Sequence, residues 1–536
     1  MTGWADHVVI APIVVPMLAG AAMILAGDRR RGATVALGLA SVLALVALSI
    51  KLLLVAGAPE VRTYRLGDWP AQFGIVLVLD RLSALMLLLT AVLGLAAFVF
   101  SLARWHRAGS RFHPLFQFQL MGLNGAFLTG DLFNLFVFFE VMLAASYGMA
   151  LHGSGIARVR AGLHYIVINL VTSLLFLIGV SVVYGIAGTL NMADLAAGMR
   201  EVVAEDRALL EAGLAVMGIA FLVKAAMWPL GFWLPGTYAA AAAPAAAILS
   251  ILSKVGIYAV LRVWLLLFGA EAGASAGFGT AWLMVGGLCT LAFGSITVLA
   301  TQDLPRLAAA SVFVSSGTLL AAIGTGQAAV TGGALYYLTG SVLAIAAFFL
   351  LVELVERGRE VGADVLAVTR EAFGTGGEDE EPEEQDIAGV AIPATVAILG
   401  LSFMACALLL AGLPPLSGFL AKLAMLAPLL RPGDAGVPIM TWVLMAALIL
   451  SGLATLIAML RAGIEVFWAT PAGRVPRISL LEFAPVGLLL LLCGALTVAA
   501  GPAMDYMQAT AEALHAPGDY LRGVMEPPPA APGGGR

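Results

Sequence analysis

The sequence predicts an all-α polytopic membrane protein with about fourteen transmembrane helices. The 536 residues are 61% hydrophobic and only 11% charged, and the mean hydropathy is +0.99, which is typical of a chain that lives in lipid and not of a soluble domain. The apolar residues also fall into stretches of the ~20 residues that a helix needs to cross the hydrocarbon core. Composition and segment length therefore indicate the same fold class.

Fourteen such stretches can be placed along the chain. They cover 7–27, 33–56, 76–102, 113–130, 132–152, 162–187, 208–234, 243–269, 280–300, 304–324, 330–355, 388–430, 438–463 and 480–501. The twelfth stretch is too long for one straight span, and its centre GLPPLSGF predicts a helix broken at Pro414–Pro415. Pro229, Pro235 and Pro244 predict a similar interruption of the seventh stretch and of the approach to the eighth.

The arginines of the short loops predict the orientation, because basic residues favour the cytoplasmic side. Loops after odd-numbered spans carry Arg29, Arg30, Arg31, Arg104, Arg107, Arg111, Arg158, Arg160, Arg306, Arg357, Arg359, Arg370, Arg461, Arg474 and Arg477. The opposite loops carry fewer. We therefore expect both termini to lie outside, with the first span retained because no basic segment or cleavage site precedes it.

Several classes of function find no support in the sequence. A net charge of −5 shows no nucleic-acid footprint. Cys289, Cys406 and Cys493 all lie in apolar spans and none is paired at metal-ligand spacing. Neither a phosphate-binding GxxxxGK[ST] loop nor a dinucleotide fingerprint is present. We therefore expect no metal and no cofactor on this chain.

Lysine usage points to proton chemistry. The chain has only four lysines, Lys51, Lys224, Lys254 and Lys422, and all lie within or at the edge of apolar spans. Arginine stays protonated in proteins, whereas a buried lysine changes its protonation state readily. Ionisable residues at membrane depth usually serve ion or proton pathways. We expect these lysines to titrate; the alternative is that each merely pairs with a carboxylate.

Glu140 is the expected carboxylate partner. It follows Asp131 by nine positions in the fifth span, which places it ~13 Å further along the helix and within the hydrocarbon. We pair it with Lys224 across the bundle, and a static structural ion pair is the alternative. Together with Lys254 and Lys422, the two residues could form one polar line across the midplane of the bilayer.

Four further polar residues are lesser candidates for a proton-access or accessory role: His164, Asp131, Arg262 and Glu465. His164 could take up protons near the cytoplasmic end of the sixth span, or be a satisfied interfacial histidine. Asp131 is expected to cap a helix. Arg262 is expected to be a structural partner or to extend to the interface, and Glu465 to form an ordinary helix pair with Arg461.

The two broken regions resemble each other in sequence. Residues 229–234 read PLGFWL and residues 415–420 read PLSGFL, and each is accompanied by a lysine. They fall in spans seven and twelve. An odd spacing of five places such units in opposite orientations, as in transporters built from inverted repeats.

Five segments together resemble a known superfamily. GDLFNLFVFFEVMLAASYGM, LVKAAMWPLGFWLPGTYAAAAAP, SKVGIYAVLRV, QDLPRLAAASV and GLPPLSGFLAKL resemble the antiporter-like subunits shared by respiratory complex I, membrane hydrogenases and multisubunit Mrp-type sodium/proton antiporters. The stretch FNLFVFFEVML and the acidic loop before the twelfth span are most similar to the D-type subunits of Mrp antiporters.

The resemblance implies two inverted five-helix repeats with broken helices 7 and 12. The corresponding regions are three N-terminal helices (1–112), the first repeat (113–270), the second repeat with its acidic loop 356–387 (280–465), helix 14 (466–501) and a tail (502–536) whose composition predicts disorder. The resemblance also implies proton transfer through Glu140, Lys224, Lys254 and Lys422. One departure is that the eleventh span has no histidine or lysine, which relatives often carry there.

These observations predict a proton-translocating subunit of a multisubunit Na⁺ or K⁺/proton antiporter, a transporter and not an enzyme. The resemblance implies partner subunits of the A, B, C, E, F and G types, surrounding membrane lipids and a bacterial inner membrane. One alternative is a proton-pumping subunit of a complex I-like NADH–quinone oxidoreductase or of a membrane hydrogenase. Another is a scaffold subunit that transports nothing. An intramembrane hydrolase lacks a catalytic set.

Overall fold

The computed structural model describes residues 6–27, 30–58, 60–108, 111–360, 394–430, 437–468 and 478–526, with side chains up to residue 357 in the fourth range. Its helices are α1 Ala11–Ala26, α2 Arg31–Ala56, α3 Arg81–Ser101, α4 Phe112–Leu128, α5 Leu132–Ala150, α6 Ile156–Ala187, α7 Met192–Gly198, α8 Ala204–Lys224, α9 Leu234–Ala240, α10 Ala243–Ala259, α11 Leu265–Phe268, α12 Thr280–Ala300, α13 Leu304–Ile323, α14 Ala328–Glu360, α15 Ala394–Ala411, α16 Ser417–Leu429, α17 Ile439–Phe467, α18 Leu480–Val498, α19 Ala500–His515 and α20 Gly518–Met525.

The remaining regular elements are short. A π-helical turn, Val260–Trp264, joins α10 to α11. An antiparallel hairpin of β1 (Arg62–Arg65) and β2 (Val76–Leu79) pairs Arg62 with Leu79. Single 3₁₀ turns cover Asp6–Val8, Leu66–Asp68, Trp105–Arg107 and Gly273–Ser275. The hairpin is the only strand pair in the described ranges, so the all-α class is confirmed.

Membrane-spanning character is confirmed by helix length and hydropathy. Eleven helices in the described ranges are long and apolar enough to cross a bilayer, while α1 and α16 are shorter apolar helices. The count of fourteen spans and the inverted relation of the two repeats stay predictions, as do the boundaries of the repeats. The acidic loop 356–387 lies outside the described residues from 361 onward.

Three helices form the centre of the bundle. The apolar windows of Ala243–Phe268, α13 and α14 are each 94% buried, against 33% for α2 and 28% for α18. The outer helices keep apolar side chains exposed, as residues facing lipid tails do. α14 packs against α10 and α13 and also against α15 and α16, so it contacts helices next to both broken regions.

Both broken regions contain proline and lysine. The chain is helical to Lys224 in α8 and becomes helical again at Leu234 in α9. It is interrupted a second time between Ala411, the end of α15, and Ser417, the start of α16. Each interruption contains a cis X–Pro bond, at Pro229 and at Pro415. Non-helical backbone is tolerated at membrane depth where protein or a polar cavity surrounds it.

The predicted disorder of the tail from residue 502 is wrong for residues 502–526. These residues form most of α19 and all of α20. The segment buries apolar residues such as Met507 and Val524, while the Tyr506 hydroxyl donates to the carbonyl of Arg81 at 2.9 Å. Burial of this amphipathic face outweighs the polar composition that suggested disorder. The proline- and glycine-rich residues 527–536 lie outside the described ranges.

Candidate functional site

Lys254 lies in the most buried part of the bundle. It occupies α10, its side chain is 0% exposed, and its Nζ donates to Ser316 Oγ on α13 at 3.3 Å. α10 begins at Ala243, because Ala242 is extended and Pro244 occupies the first turn, where proline is tolerated. Lys254 is therefore held about 16 Å along a rigid helix from its start.

Lys224 and Glu140 face the same region without forming a direct ion pair. Lys224 is 4% exposed, and its Nζ has no hydrogen-bond partner among the described residues. The Nζ atom lies 5.0 Å from the centroid of the Phe139 ring, a cation–π arrangement. Glu140 accepts a short hydrogen bond from Ser173 on α6 and interacts with Lys224 through its charge. Glu140 and Lys224 thus do not form the expected direct contact. The Phe139 ring lies beside Lys224 Nζ, and the Ser173 hydroxyl binds Glu140.

A glycine brings the first interruption against the helix of Lys254. A Cβ atom on Gly256 would lie 2.4 Å from Ala225 N and 2.8 Å from Lys224 C. Because real Cβ atoms do not approach backbone so closely, only glycine lets α10 pack directly on the end of α8. Lys254 therefore lies on α10 only two residues before Gly256, which contacts the backbone of Lys224.

Lys422 lies at the second interruption. Its partly buried Nζ donates to the carbonyl of Ala411 at 2.9 Å and approaches the carbonyl of Leu448 at 3.5 Å. The last carbonyls of a helix have no intrahelical partner and carry partial negative charge. Gly412, with φ of +73°, turns the chain immediately after α15. The ammonium group of Lys422 thus stabilises the open end of the broken helix.

None of these three lysines forms an ion pair within 4 Å of a carboxylate among the described residues. A buried lysine with a purely structural role is expected to be held by a carboxylate. Lys224, Lys254 and Lys422 instead have a ring, a hydroxyl and carbonyls for neighbours. Such neighbours let a lysine change its charge without leaving a carboxylate unpaired.

The lesser candidates lie elsewhere. Asp131 caps α5 by accepting the amide of Asn134 at 2.8 Å, as expected, and burial raises the pKa of its carboxyl although backbone hydrogen bonds oppose the rise. His164 is exposed, with Nδ1 2.9 Å from the carbonyl oxygen of Arg160. Glu465 is also exposed, near the end of α17. The structure does not bring these residues to the buried lysines.

Arg262 forms a buried ion pair with Asp80, a partner that the sequence did not indicate. Its guanidinium donates to both carboxylate oxygens of Asp80, at 2.6 and 2.7 Å, and it also lies over the rings of Tyr258 and Tyr520. Asp80 caps α3, so the pair joins α3, the end of the Lys254 helix and the C-terminal helix α20. Asp80 lies near the start of the predicted third span, 76–102, and in the structure it directly precedes α3.

A polar vestibule at the predicted cytoplasmic end was also missed. It has a volume of about 590 Å³ and is lined by both arginines and glutamates, including Arg104, Arg158 and Glu353, and by the first residues of α10. Glu353 accepts from Trp105 Nε1 at 2.7 Å and pairs with Arg357, which also pairs with Glu482. The i, i+4 spacing of Glu353 and Arg357 is the sequence signal that could have indicated this network.

The fold and the apolar spans define a multi-pass, all-α membrane protein. A sequence model of the family described as NADH:quinone oxidoreductase/Mrp antiporter, transmembrane, matches residues 129–454, more than half of the chain. The chain belongs to this family.

Named relatives are similar over the whole length. The D subunit of a probable K⁺/H⁺ antiporter of Rhizobium meliloti is 57% identical, with 99% of both chains covered. The D subunit of the Na⁺/H⁺ antiporter of Alkalihalophilus pseudofirmus is 32% identical, with 97% of this chain and all of the relative covered. A chain of the Mrp complex from Dietzia sp. has the same fold, with a TM-score of 0.83 at 24% identity over 98% of this chain and all of that one.

Proposed function

We propose that this chain is the proton-translocating subunit of a multisubunit antiporter that exchanges Na⁺ or K⁺ for protons. Its full-length similarity to proteins named as the D subunits of cation/proton antiporters supports this. The proposed setting is a bacterial inner membrane with both termini outside. The proposed partners are the A, B, C, E, F and G type subunits, and the monovalent cation crosses either this chain or one of them.

Protons would move through Glu140, Lys224, Lys254 and Lys422. The Glu140 charge favours an ammonium group at Lys224, while burial without a hydrogen-bond partner disfavours it. A small change in the separation of the two side chains would therefore transfer the proton. Lys254 would accept it on the other side of the contact at Gly256, beside the hydroxyl of Ser316.

The proposed access from the cytoplasm is the vestibule of about 590 Å³, and not His164. The vestibule contacts Ala243 and Ala246 in the first turn of α10, while His164 is exposed on α6. Its glutamates and arginines line a space large enough for many water molecules. Protons from this space would have to travel about 12 Å along α10, from Ala246 to Lys254.

The main support for the proposal is the position of three lysines at or beside the two helix interruptions. In the described residues, none of the three has a carboxylate within 4 Å. A scaffold subunit would have no need of unpaired ammonium groups in its core, because burying a charge without a partner destabilises a protein by several kcal/mol. A proton carrier does need groups that can lose their charge in place.

The test is cation-dependent pH change in everted membrane vesicles that contain the whole complex. We expect Na⁺ or K⁺ to dissipate an imposed pH gradient with the natural chain and not with Lys224→Ala, while the variant protein still assembles with its partners. Cation exchange at the natural rate by Lys224→Ala would contradict the proposal. A natural complex that ignores both cations but takes up protons when NADH is supplied would favour the redox-pump alternative.

A further inference from the structure

The amine of Lys224 lies against an aromatic ring and not against a polar group. Lys224 is 4% exposed, and its Nζ has no hydrogen-bond partner among the described residues. The Nζ atom lies over the ring of Phe139, 5.0 Å from its centroid. The face of an aromatic ring is electron-rich and attracts a cation, most strongly where water is excluded. The ring therefore favours the charged form of a lysine that burial alone disfavours.

Two further rings hold Phe139 in this position. Phe139 is 1% exposed, and its ring meets those of Phe176 on α6 and Phe221 on α8 edge to face, with centroid distances of 5.7 and 6.3 Å. Phe176 and Phe221 also meet each other edge to face, at 5.4 Å. Edge-to-face pairs are a preferred geometry of buried rings. The ring of Phe139 is therefore fixed by α5, α6 and α8 together.

Only one charge in the described residues acts on Lys224. Glu140 on α5 attracts its ammonium group without touching it. The other charged and histidine side chains of α6, α8, α10 and the π-helical turn lie toward the start of their helices or have partners of their own: residues 158–164, residues 205–211, Lys254 and Arg262. The Glu140 charge and the Phe139 ring are thus the two features of this site that support a proton on Lys224.

We propose that Phe139 is a positioning residue whose ring, in place of a direct ion pair, stabilises the protonated form of Lys224. The inference rests on the proposed proton transport and assigns a role to a residue that carries no charge. A ring attracts an ammonium group less strongly than a carboxylate in contact with it at the same depth. Lys224 can therefore hold a proton and still release it, while Glu140 keeps its hydrogen bond from Ser173.

Fluorination of the ring separates its electrons from its size. Fluorine atoms withdraw electron density from the face of the ring, which weakens the attraction for a cation, and they change the shape of the side chain little. The test variant is Phe139→trifluorophenylalanine in the full chain and the whole complex. Phe176→trifluorophenylalanine is the matched control. Phe176 belongs to the same buried cluster, and no cation in the described residues lies over its ring.

Initial rates of cation-dependent proton exchange are measured in vesicles over a range of pH, per amount of assembled complex. We expect Phe139→trifluorophenylalanine to lower the rate about tenfold at the pH where the natural complex is fastest, which is the size of effect that a desolvated cation–π contact has. Its pH optimum should move about one unit lower, because more protons are needed to charge a lysine that has lost this attraction. The Phe176 variant should stay within about twofold of the natural rate and keep the natural optimum.

Ordinary substitutions give a second, independent comparison. Phe139→Leu keeps an apolar side chain but removes the ring, whereas Phe139→Tyr keeps the ring. We expect the leucine variant to lose about tenfold in rate and to regain it at lower pH, and the tyrosine variant to retain exchange. Equal rates per assembled complex in these two variants would contradict the role of the ring.

The outcomes separate the role of Phe139 from the proposed function. A natural rate and a natural pH optimum in Phe139→trifluorophenylalanine would overturn the role of the ring and leave the antiporter assignment intact. Equal losses at positions 139 and 176 would also overturn it, since ring packing and not the contact with Lys224 would then control the rate. Absence of cation-dependent exchange in the natural complex itself would instead overturn the proposed function.

Discussion

At the scale of single residues, the distinctive feature is a carboxylate and a lysine that interact without touching. Phe139 packs beside Lys224 Nζ, and Ser173 donates to Glu140. This arrangement separates two roles of Glu140, as a hydrogen-bond acceptor and as a negative charge. An amide side chain can still accept from Ser173 but cannot carry the charge.

Glu140→Gln is therefore expected to abolish exchange while leaving the fold unchanged. Loss of the charge removes the attraction that supports a proton on Lys224, and a group that controls proton transfer contributes about 100-fold or more in rate. Ser173→Ala should lower the rate only modestly, because the charge remains. The measurements are exchange in vesicles and recovery of the intact complex. Glu140→Gln with natural exchange would show that the charge has no part in transport.

At the scale of secondary-structure elements, close packing at the interruptions positions the lysines. Gly256 lets α10 lie directly against the end of α8, and the open end of α15 holds Lys422 through Ala411. The other end of the Lys254 helix is fixed by the pair of Arg262 with Asp80. We interpret this pair as structural, since both charges are satisfied by each other.

The structural role predicts how the pair responds to substitution. Arg262→Met should destabilise the protein by about 3–5 kcal/mol, because it leaves a buried carboxylate without its partner. The double variant Arg262→Met with Asp80→Asn should recover much of this loss, since neither charge is then buried alone. Thermal unfolding of the purified complex measures the effect. Equal losses in the single and double variants, or natural stability in both, would contradict the structural role.

At the scale of the whole molecule, composition and segment length were enough to predict an all-α polytopic membrane protein, because the bilayer imposes helix length directly. The buried lysines were found for the same reason, since an ammonium group in an apolar span is conspicuous. The sequence could not show that Glu140 and Lys224 make no direct contact, or that the Phe139 ring lies beside Lys224 Nζ. Such distances depend on how helices far apart in the chain pack together.

The remaining differences have a similar physical cause. Asp80 and Arg262 are 182 positions apart, and no local pattern reports so distant a contact. The tail from residue 502 was judged by its composition, whereas α19 and α20 fold because the bundle offers them a surface to cover. The vestibule at the start of α10 arises between elements, so its residues appeared only as loop arginines and helix-end glutamates.

If unpaired buried lysines carry the proton, removal of a core lysine and removal of a peripheral lysine should have opposite effects on exchange. Lys254 is 0% exposed, whereas Lys51 is exposed on α2, so Lys254→Ala and Lys51→Ala remove the same group from the core and from the periphery. Cation-dependent proton exchange is measured for both in vesicles with equal amounts of assembled complex. We predict that Lys254→Ala abolishes exchange and that Lys51→Ala retains it. Undiminished exchange in Lys254→Ala would contradict the account.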